Sequence, residues 1–334
     1  MTTTTLKQPS KILKVLKAIW NGIRRIPAVY FIFFGIFIVL GLLSPTYQST
    51  PGIMAFLRRT SPLAILAIGE MIVLSTGGYD LSIGSIVTMV VLGSSLLLNN
   101  DPTMMPTAIW TMLALGLLIG LVNGFVVSYL KIPSFIATLG MMLLVKGGAL
   151  YWVGGAPRGY LTENWRAFGR GYFENVPLVD RFPYALAILL ILALVTYFIY
   201  HRSNFGKQIL AIGDNVRASQ LSGVRVRLVR MIAFVISSLF AVIGGIMIGG
   251  FGGVNVTIGE GLEMQTIAAC VVGGVLLGGG KGSVMNVVFG AFTMEAIFNL
   301  LNLLGLPKPY KDAVQGLIII AAVAYVALST RKKK

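Results

Sequence analysis

Three ionisable side chains interrupt long apolar runs and are the first places where chemistry could reside: Glu70, Lys146 and Glu295. A charge at the centre of a membrane helix costs about 2.5–3.5 kcal/mol on insertion scales. Such groups therefore face a cavity or a partner. Glu70 and Glu295 fall near the middle of their runs in opposite halves of the chain. They could line a polar path, carry a proton, or bond structurally to a neighbouring helix. Other chemistry has little to draw on. His201 is the single histidine and Cys270 the single cysteine, which rules out an internal disulfide. No His/Cys/Asp group has metal-ligand spacing, so no metal, cofactor or enzymatic activity is expected. The nearest approach to a P-loop, Val275 through Gly282, lacks both the first glycine and the final Ser or Thr.

The strongest motif is Gly77-Gly78-Tyr79-Asp80-Leu81-Ser82-Ile83-Gly84-Ser85. It reads as a break between two helices. Glycines permit backbone conformations that other residues resist. Asp80 or Ser82 can cap the following helix, and a carboxylate suits its positive N-terminus. Asp80 could also contact a solute directly. A second glycine-rich turn, Gly278-Gly279-Gly280, is followed by Gly282-Ser283 and another apolar run, which gives the two halves a weak internal similarity. Transporters are often built from such repeats, with broken helices near the pathway.

The elements that must position these residues are membrane helices. Of the 334 residues, 56% are apolar, only 11% are charged, and 40 are glycine. The mean hydropathy is +0.85. The expected fold is an all-α polytopic membrane protein with about ten transmembrane helices. The apolar runs fall at 27–43, 62–77, 82–98, 107–130, 134–152, 183–200, 231–250, 265–278, 284–304 and 313–328. Pro27, Pro62, Pro106, Pro133 and Pro183 are expected to mark helix starts. The two shortest runs, 62–77 and 265–278, have the softest ends.

The net charge of +16 is distributed between the apolar runs. That pattern sets membrane topology and gives no basic stripe for nucleic acid. With both termini cytoplasmic, eighteen of the 27 Lys and Arg lie on inner segments and eight on outer ones, with Lys146 inside a span. The pair Arg58–Arg59 fits that scheme worst, as an outer-segment pair. Residues 1–26 read either as an amphipathic leader on the inner surface or as a solvated one. Residues 27–330 form one membrane domain and 331–334 a basic cytoplasmic tail. The outer loop 153–182 is aromatic-rich and could lie at the headgroup level or meet a delivering protein. The inner loop 201–230 mixes six Lys/Arg with apolar residues. Alone, it suits equally a solvated connection and a short helix docked into a partner's groove.

Four segments in order resemble one family. They are the Gly77–Ser85 motif, Asn123-Gly124 with Lys131-Ile132-Pro133-Ser134-Phe135-Ile136-Ala137-Thr138-Leu139-Gly140, the loop residues Phe205, Gly206, Ala211, Gly213, Asn215, Ala218 and Gly223, and Asn299 through Gly305 with Gly316-Leu317-Ile318. They are similar to the permease subunits of bacterial monosaccharide ABC importers of the ribose, xylose, arabinose and galactose type. Tyr79 departs from that family's usual isoleucine. The resemblance implies a multi-pass plasma (inner) membrane subunit that pairs with itself or a paralogue and is embedded in lipid. It implies an ATPase subunit docking on loop 201–230 through those loop residues, and an extracytoplasmic sugar-binding protein. Pathway candidates are Glu70, Asp80, Asn123, Thr138, Gln265, Glu295 and Asn299, of which Glu70 lies outside the segments that carry the resemblance. Candidates for helix breaks or gating are Gly77, Gly78, Gly84, Gly278, Gly279 and Gly280. The competing reading is an ion-coupled secondary transporter of a small polar solute, with Glu70 and Glu295 as proton sites.

Overall fold

A computed structural model describes residues 26–331. The expected leader and the basic tail lie, but for a residue each, outside the described residues. Thirteen helices follow in order: α1 (Ala28–Leu43), α2 (Thr50–Ser75), α3 (Ile83–Leu98), α4 (Met105–Ser128), α5 (Ser134–Val153), α6 (Glu163–Arg170), α7 (Tyr184–Arg202), α8 (Asn204–Asp214), α9 (Val216–Leu221), α10 (Val226–Gly252), α11 (Leu262–Val272), α12 (Val284–Leu303) and α13 (Lys308–Arg331). Five stretches are long and apolar enough to cross a bilayer: α4 with the short turn before it, α5, α7, α10 and α12. Helices α1, α3 and α11 are shorter apolar helices.

Proline marks four of the five expected helix starts. Pro27, Pro133 and Pro183 precede α1, α5 and α7, and Pro106 sits in the first turn of α4. Pro62 is the exception. It lies inside α2, which begins twelve residues earlier, where Ser49 caps Gly52 N–H at 3.2 Å and Pro51 occupies the first turn. The hydroxyls of Thr60 and Ser61 bond the carbonyls of Phe56 and Leu57 one turn back. Ser/Thr bonds of this kind let a membrane helix carry a proline. Arg58 and Arg59, expected in an outer segment, are therefore helical residues of α2. The end of the bundle near them still holds them: Arg58 Nη1 donates to Arg170 O at 3.1 Å, and Arg59 lies over the Phe251 ring.

The expected all-α fold needs a second amendment. Strands β1 (Tyr172–Val176) and β2 (Asp180–Pro183) form an antiparallel hairpin within the 153–182 region, with Phe173 opposite Phe182. Tyr184 packs edge-on against Phe173 with ring centroids 4.5 Å apart.

Helix α10 is the central post of the bundle. Helix α4 approaches it through Gly116, Gly120 and Gly124, one glycine per turn. A Cβ on Gly120 would sit 2.7 Å from Val235 Cα, and one on Gly124 2.7 Å from Met231 Cα. Small residues at this spacing let membrane helices touch backbone to backbone. The outer faces of α1, α4, α5 and α7 are apolar and exposed, as at Phe31, Leu118, Leu144 and Ile191.

The connections sort to two ends. At one end Gly280 N donates to Ser75 O, Tyr79 N to Ser134 Oγ, and Arg230 to Thr76 O. This end gathers residues 76–82, 129–133, 203–225 and 273–283. At the other, Ser95 Oγ donates to Arg158 O, Asn100 N to Tyr160 O, and Arg170 to Phe251 O.

Candidate functional site

Helix α2 stops at Ser75 because Gly77 turns to a φ of +80° and Gly78 N bonds back to Val73 O. The chain then re-enters the bundle as a non-helical segment before α3 begins at Ile83. Inside a membrane such a backbone is tolerated only where protein satisfies its polar groups. Here each N–H has a side-chain acceptor. Tyr79 N donates to Ser134 Oγ at 3.1 Å and Leu81 N to Thr138 Oγ1 at 3.1 Å, both from α5. Asp80 N donates to Glu70 Oε1 at 3.3 Å, and Ser82 N to Asp80 Oδ1 at 3.0 Å.

The side chains interlock as well. Asp80 Oδ1 also accepts from Ser82 Oγ, and Asp80 Oδ2 accepts from Ser237 Oγ of α10 at 2.8 Å. Asn123 Nδ2 of α4 donates to Ser82 Oγ at 3.0 Å. The break is thus tied to α2, α4, α5 and α10 at once. Asp80 accepts at Ser82, ahead of the first turn of α3, so it shapes the turn into the helix more than it caps it. Glu70, Asp80, Ser82, Asn123, Thr138 and Ser237 are all buried. Glu70 Oε2 alone among the carboxylate oxygens of this knot is buried without a partner.

The second half also breaks. Helix α10 has 27 residues, about 40 Å of rise. Residues 253–261 then turn back into the bundle. Gly259 N donates to Thr88 Oγ1 at 3.2 Å, and the Gly259 backbone lies against Gly84 O. Helix α11 starts at that depth and has 11 residues. The N-termini of α3 and α11 therefore approach each other inside the bundle. Gly84 leaves no room for a Cβ there, because the Glu263 carboxylate and Gly259 O fill the space. Beside this meeting, Lys146 Nζ of α5 and Glu260 Oε1 pair at 2.7 Å, with both side chains about two-fifths exposed (41% and 42%).

The glycine turns of both halves converge on the 203–225 connection. A Cβ on Gly279 would lie 2.7 Å from Gly213 Cα and 2.8 Å from Gly77 N, while Gly213 itself is pressed on Ser75 O and Gly280 N. Gly278 O faces Gly77. Tyr79 Oη donates to Leu277 O at 3.1 Å, and Ser75 Oγ and Tyr200 Oη lie 2.7 Å apart. Gly213 belongs to α8, which Ser203 caps by accepting from Gly206 N; Phe205 and Ala211 share that helix. Asn215 caps α9 by accepting from Ala218 N, and Gly223 follows with a φ of +81°. Gly206 backs onto the Tyr200 carbonyl.

Of the sequence-derived candidates, the structure brings Glu70, Asp80, Asn123 and Thr138 into one knot. Gln265 lies half-buried in the first turns of α11. Glu295 and Asn299 are elsewhere, half-buried one turn apart on α12. Glu70 bonds Asp80 N in the knot, whereas no hydrogen bond joins Glu295 to any of the knot's residues. The two carboxylates thus do not form one site. Sequence reasoning missed Ser237, the re-entrant 253–261 segment and the Lys146–Glu260 pair. The i,i+4 spacing of Ser134 and Thr138 was a usable signal for one polar face of α5.

Residues 52–323 match the family described as "Branched-chain amino acid transport system / permease component". The chain is 34% identical over 325 residues to the galactose/methyl galactoside import permease protein of Haemophilus influenzae, covering 92% of this chain and 95% of that protein. It is 32% identical to the ribose import permease protein of Escherichia coli, over 85% of this chain and 88% of that one. It is also 32% identical to the autoinducer 2 import system permease protein of Salmonella typhi, over 87% and 82%. No solved structure shows significant similarity to the chain.

Proposed function

Because this chain belongs to the branched-chain amino acid transport system permease component family, we propose that it is the membrane subunit of an ATP-driven importer and that its cargo is a simple sugar. It is a multi-pass membrane transport permease. Similarity over nine-tenths of the chain to a galactose/methyl galactoside import permease carries the sugar reading, and the ribose relative supports it. A lone ion-coupled carrier fits less well, since the family is one component of a transport system.

Ten spans with both termini cytoplasmic remain our reading of the topology. The sorting of connections to two ends of the bundle supports it, as does the excess of positive charge on the end that holds residues 203–225. An ATPase subunit docks on α8 and α9 at that end. Gly213 touches both broken segments there, so a push on α8 reaches the two breaks by backbone contact. An extracytoplasmic binding protein delivers the sugar at the opposite end, near the hairpin.

Two copies of the permease enclose the path. An ion pair within apolar spans is costly against lipid. The exposed Lys146–Glu260 pair therefore faces a water-filled space at the contact between copies. Gly140, Gly147 and Gly148 of α5 have nothing within 4 Å and leave room for a second helix. The approaching N-termini of α3 and α11 supply donors to sugar hydroxyls, with Gln265 beside them. Asp80, Asn123 and Thr138 hold the first break in place, and Glu70, Glu295 and Asn299 flank the route.

Reconstitution tests the proposal. Proteoliposomes holding this chain, its ATPase and a sugar-loaded binding protein should accumulate labelled galactose or ribose only with internal ATP. Uptake of leucine but no monosaccharide would overturn the sugar reading, and uptake driven by a pH gradient without the ATPase would overturn the importer.

A further inference from the structure

A cavity of about 600 Å³ opens among residues 76–78, the 127–134 turn, α9 and the start of α10. Three cations line it, Lys131, Arg227 and Arg230, and no carboxylate does. Two polar atoms just behind its wall, the Ser128 hydroxyl and Arg230 Nε, have no partner in the protein. Ser128 is only 6% exposed, and its hydroxyl has no partner. Arg230 is anchored by Nη2 to Thr76 O at 3.1 Å, which leaves its buried Nε without an acceptor. Buried donors without partners cost about 1–3 kcal/mol each, so they mark a place where an acceptor is missing.

The acceptor that fits is anionic and has several oxygens. Guanidinium groups match phosphate by paired donors, and an ammonium and a hydroxyl add single bonds. A second cavity of about 460 Å³ adjoins the first and shares Val226 and Arg227 with it. Its remaining wall sets the apolar groups of Tyr129, Val224 and Leu228 beside a fourth cation, Arg225. Tyr129, Leu130, Ile132 and Leu228 are exposed around the mouth, as expected at a bilayer interface. A cationic chamber that opens past Tyr129, Val224 and Leu228 suits an amphiphile with a charged head. Basic pockets between membrane helices are known to seat lipid head groups.

We propose that this cavity binds the phosphate of an anionic phospholipid, with Ser128, Lys131, Arg227 and Arg230 as its ligands. The site is separate from the Asp80 knot and does not depend on which solute is carried. A bound head group would tie the 129–133 turn to α9 and α10, beside the break at 76–78.

The test uses the full chain, delipidated in detergent, and follows thermal unfolding with three probes: phosphatidylglycerol, phosphatidylcholine and inorganic phosphate. Phosphatidylglycerol should raise the melting temperature and phosphatidylcholine should not. Lys131→Gln with Arg227→Gln should weaken the phosphatidylglycerol effect about tenfold per lost cation. Ser128→Ala loses no bond in the unliganded chain, so it should melt normally alone and show a reduced lipid shift. Inorganic phosphate acting alike, with the same loss in the variants, supports the phosphate site and assigns it to a free anion. Equal shifts with both lipids, no shift with any probe, or full shifts in both variants would overturn the site.

Discussion

Asp80 and Ser237 meet across the two most distant parts of the polar knot: the serine hydroxyl of α10 donates to Asp80 Oδ2 at 2.8 Å, 157 residues along the chain. The other oxygen of the same carboxylate accepts from Ser82. One side chain thus fastens the break to the central helix and shapes the entry to α3. Asp80→Ala leaves buried donors on both sides without an acceptor, at about 1–3 kcal/mol for each. Ser237→Ala removes one donor and should cost about 1 kcal/mol. Melting temperatures of the detergent-purified variants should fall in that order. Equal falls would mean that the Ser82 bonds add nothing.

Gly120 is one of two places, with Gly124, where α4 and α10 come closest to backbone contact. Gly120→Leu forces those backbones apart and should cost several kcal/mol, with loss of monodisperse protein on size exclusion. Gly35→Leu, on a face with nothing within 4 Å, should express and elute normally. Similar behaviour of the two variants would show that the glycine ladder is not what holds α4 to α10.

The Lys146–Glu260 pair is exposed enough that its loss should change stability by less than about 1 kcal/mol. Lys146→Met should therefore fold and still lower ATP-driven uptake by tenfold or more. The exchange of Lys146→Glu with Glu260→Lys should restore part of that uptake. Wild-type uptake by Lys146→Met would place the pair away from the path.

If α5 meets α5 of a second copy, Leu144→Cys should form a disulfide-linked dimer under mild oxidation. Cys270 is buried, with its thiol directed at Ala67 O, and should not cross-link in the parent chain. A Leu144→Cys variant that stays monomeric on denaturing gels while transport-competent would exclude that contact.

Much of this architecture was written locally in the sequence. The apolar runs gave most helices, and four prolines marked their starts. The Gly77–Ser85 break was legible because two glycines beside Asp and Ser cannot continue an apolar helix. The departures have physical causes. Pro62 reads as a start, but hydroxyls at Thr60 and Ser61 support a helix through it, and the true start rests on Ser49. The hairpin is too short for its alternation to stand out, and its register sets Phe173 opposite Phe182. Residues 253–261 look like an ordinary glycine-bearing outer connection. Contacts with distant residues draw them into the bundle, as between Gly259 and Thr88 or Gly84 and between Glu260 and Lys146, and no local pattern encodes those. Glu70 and Glu295 looked equivalent as lone acids in apolar runs, because a run does not show which bonds its acid will make.

Gly213, Gly77 and Gly279 meet without any side chain between them. A joint made only of main chain has no rotamers to absorb a displacement and no functional groups to vary. Movement on one side of it must appear on the other, like play taken out of a linkage. The outward surface of α8 can then change while any displacement passed inward keeps the same length.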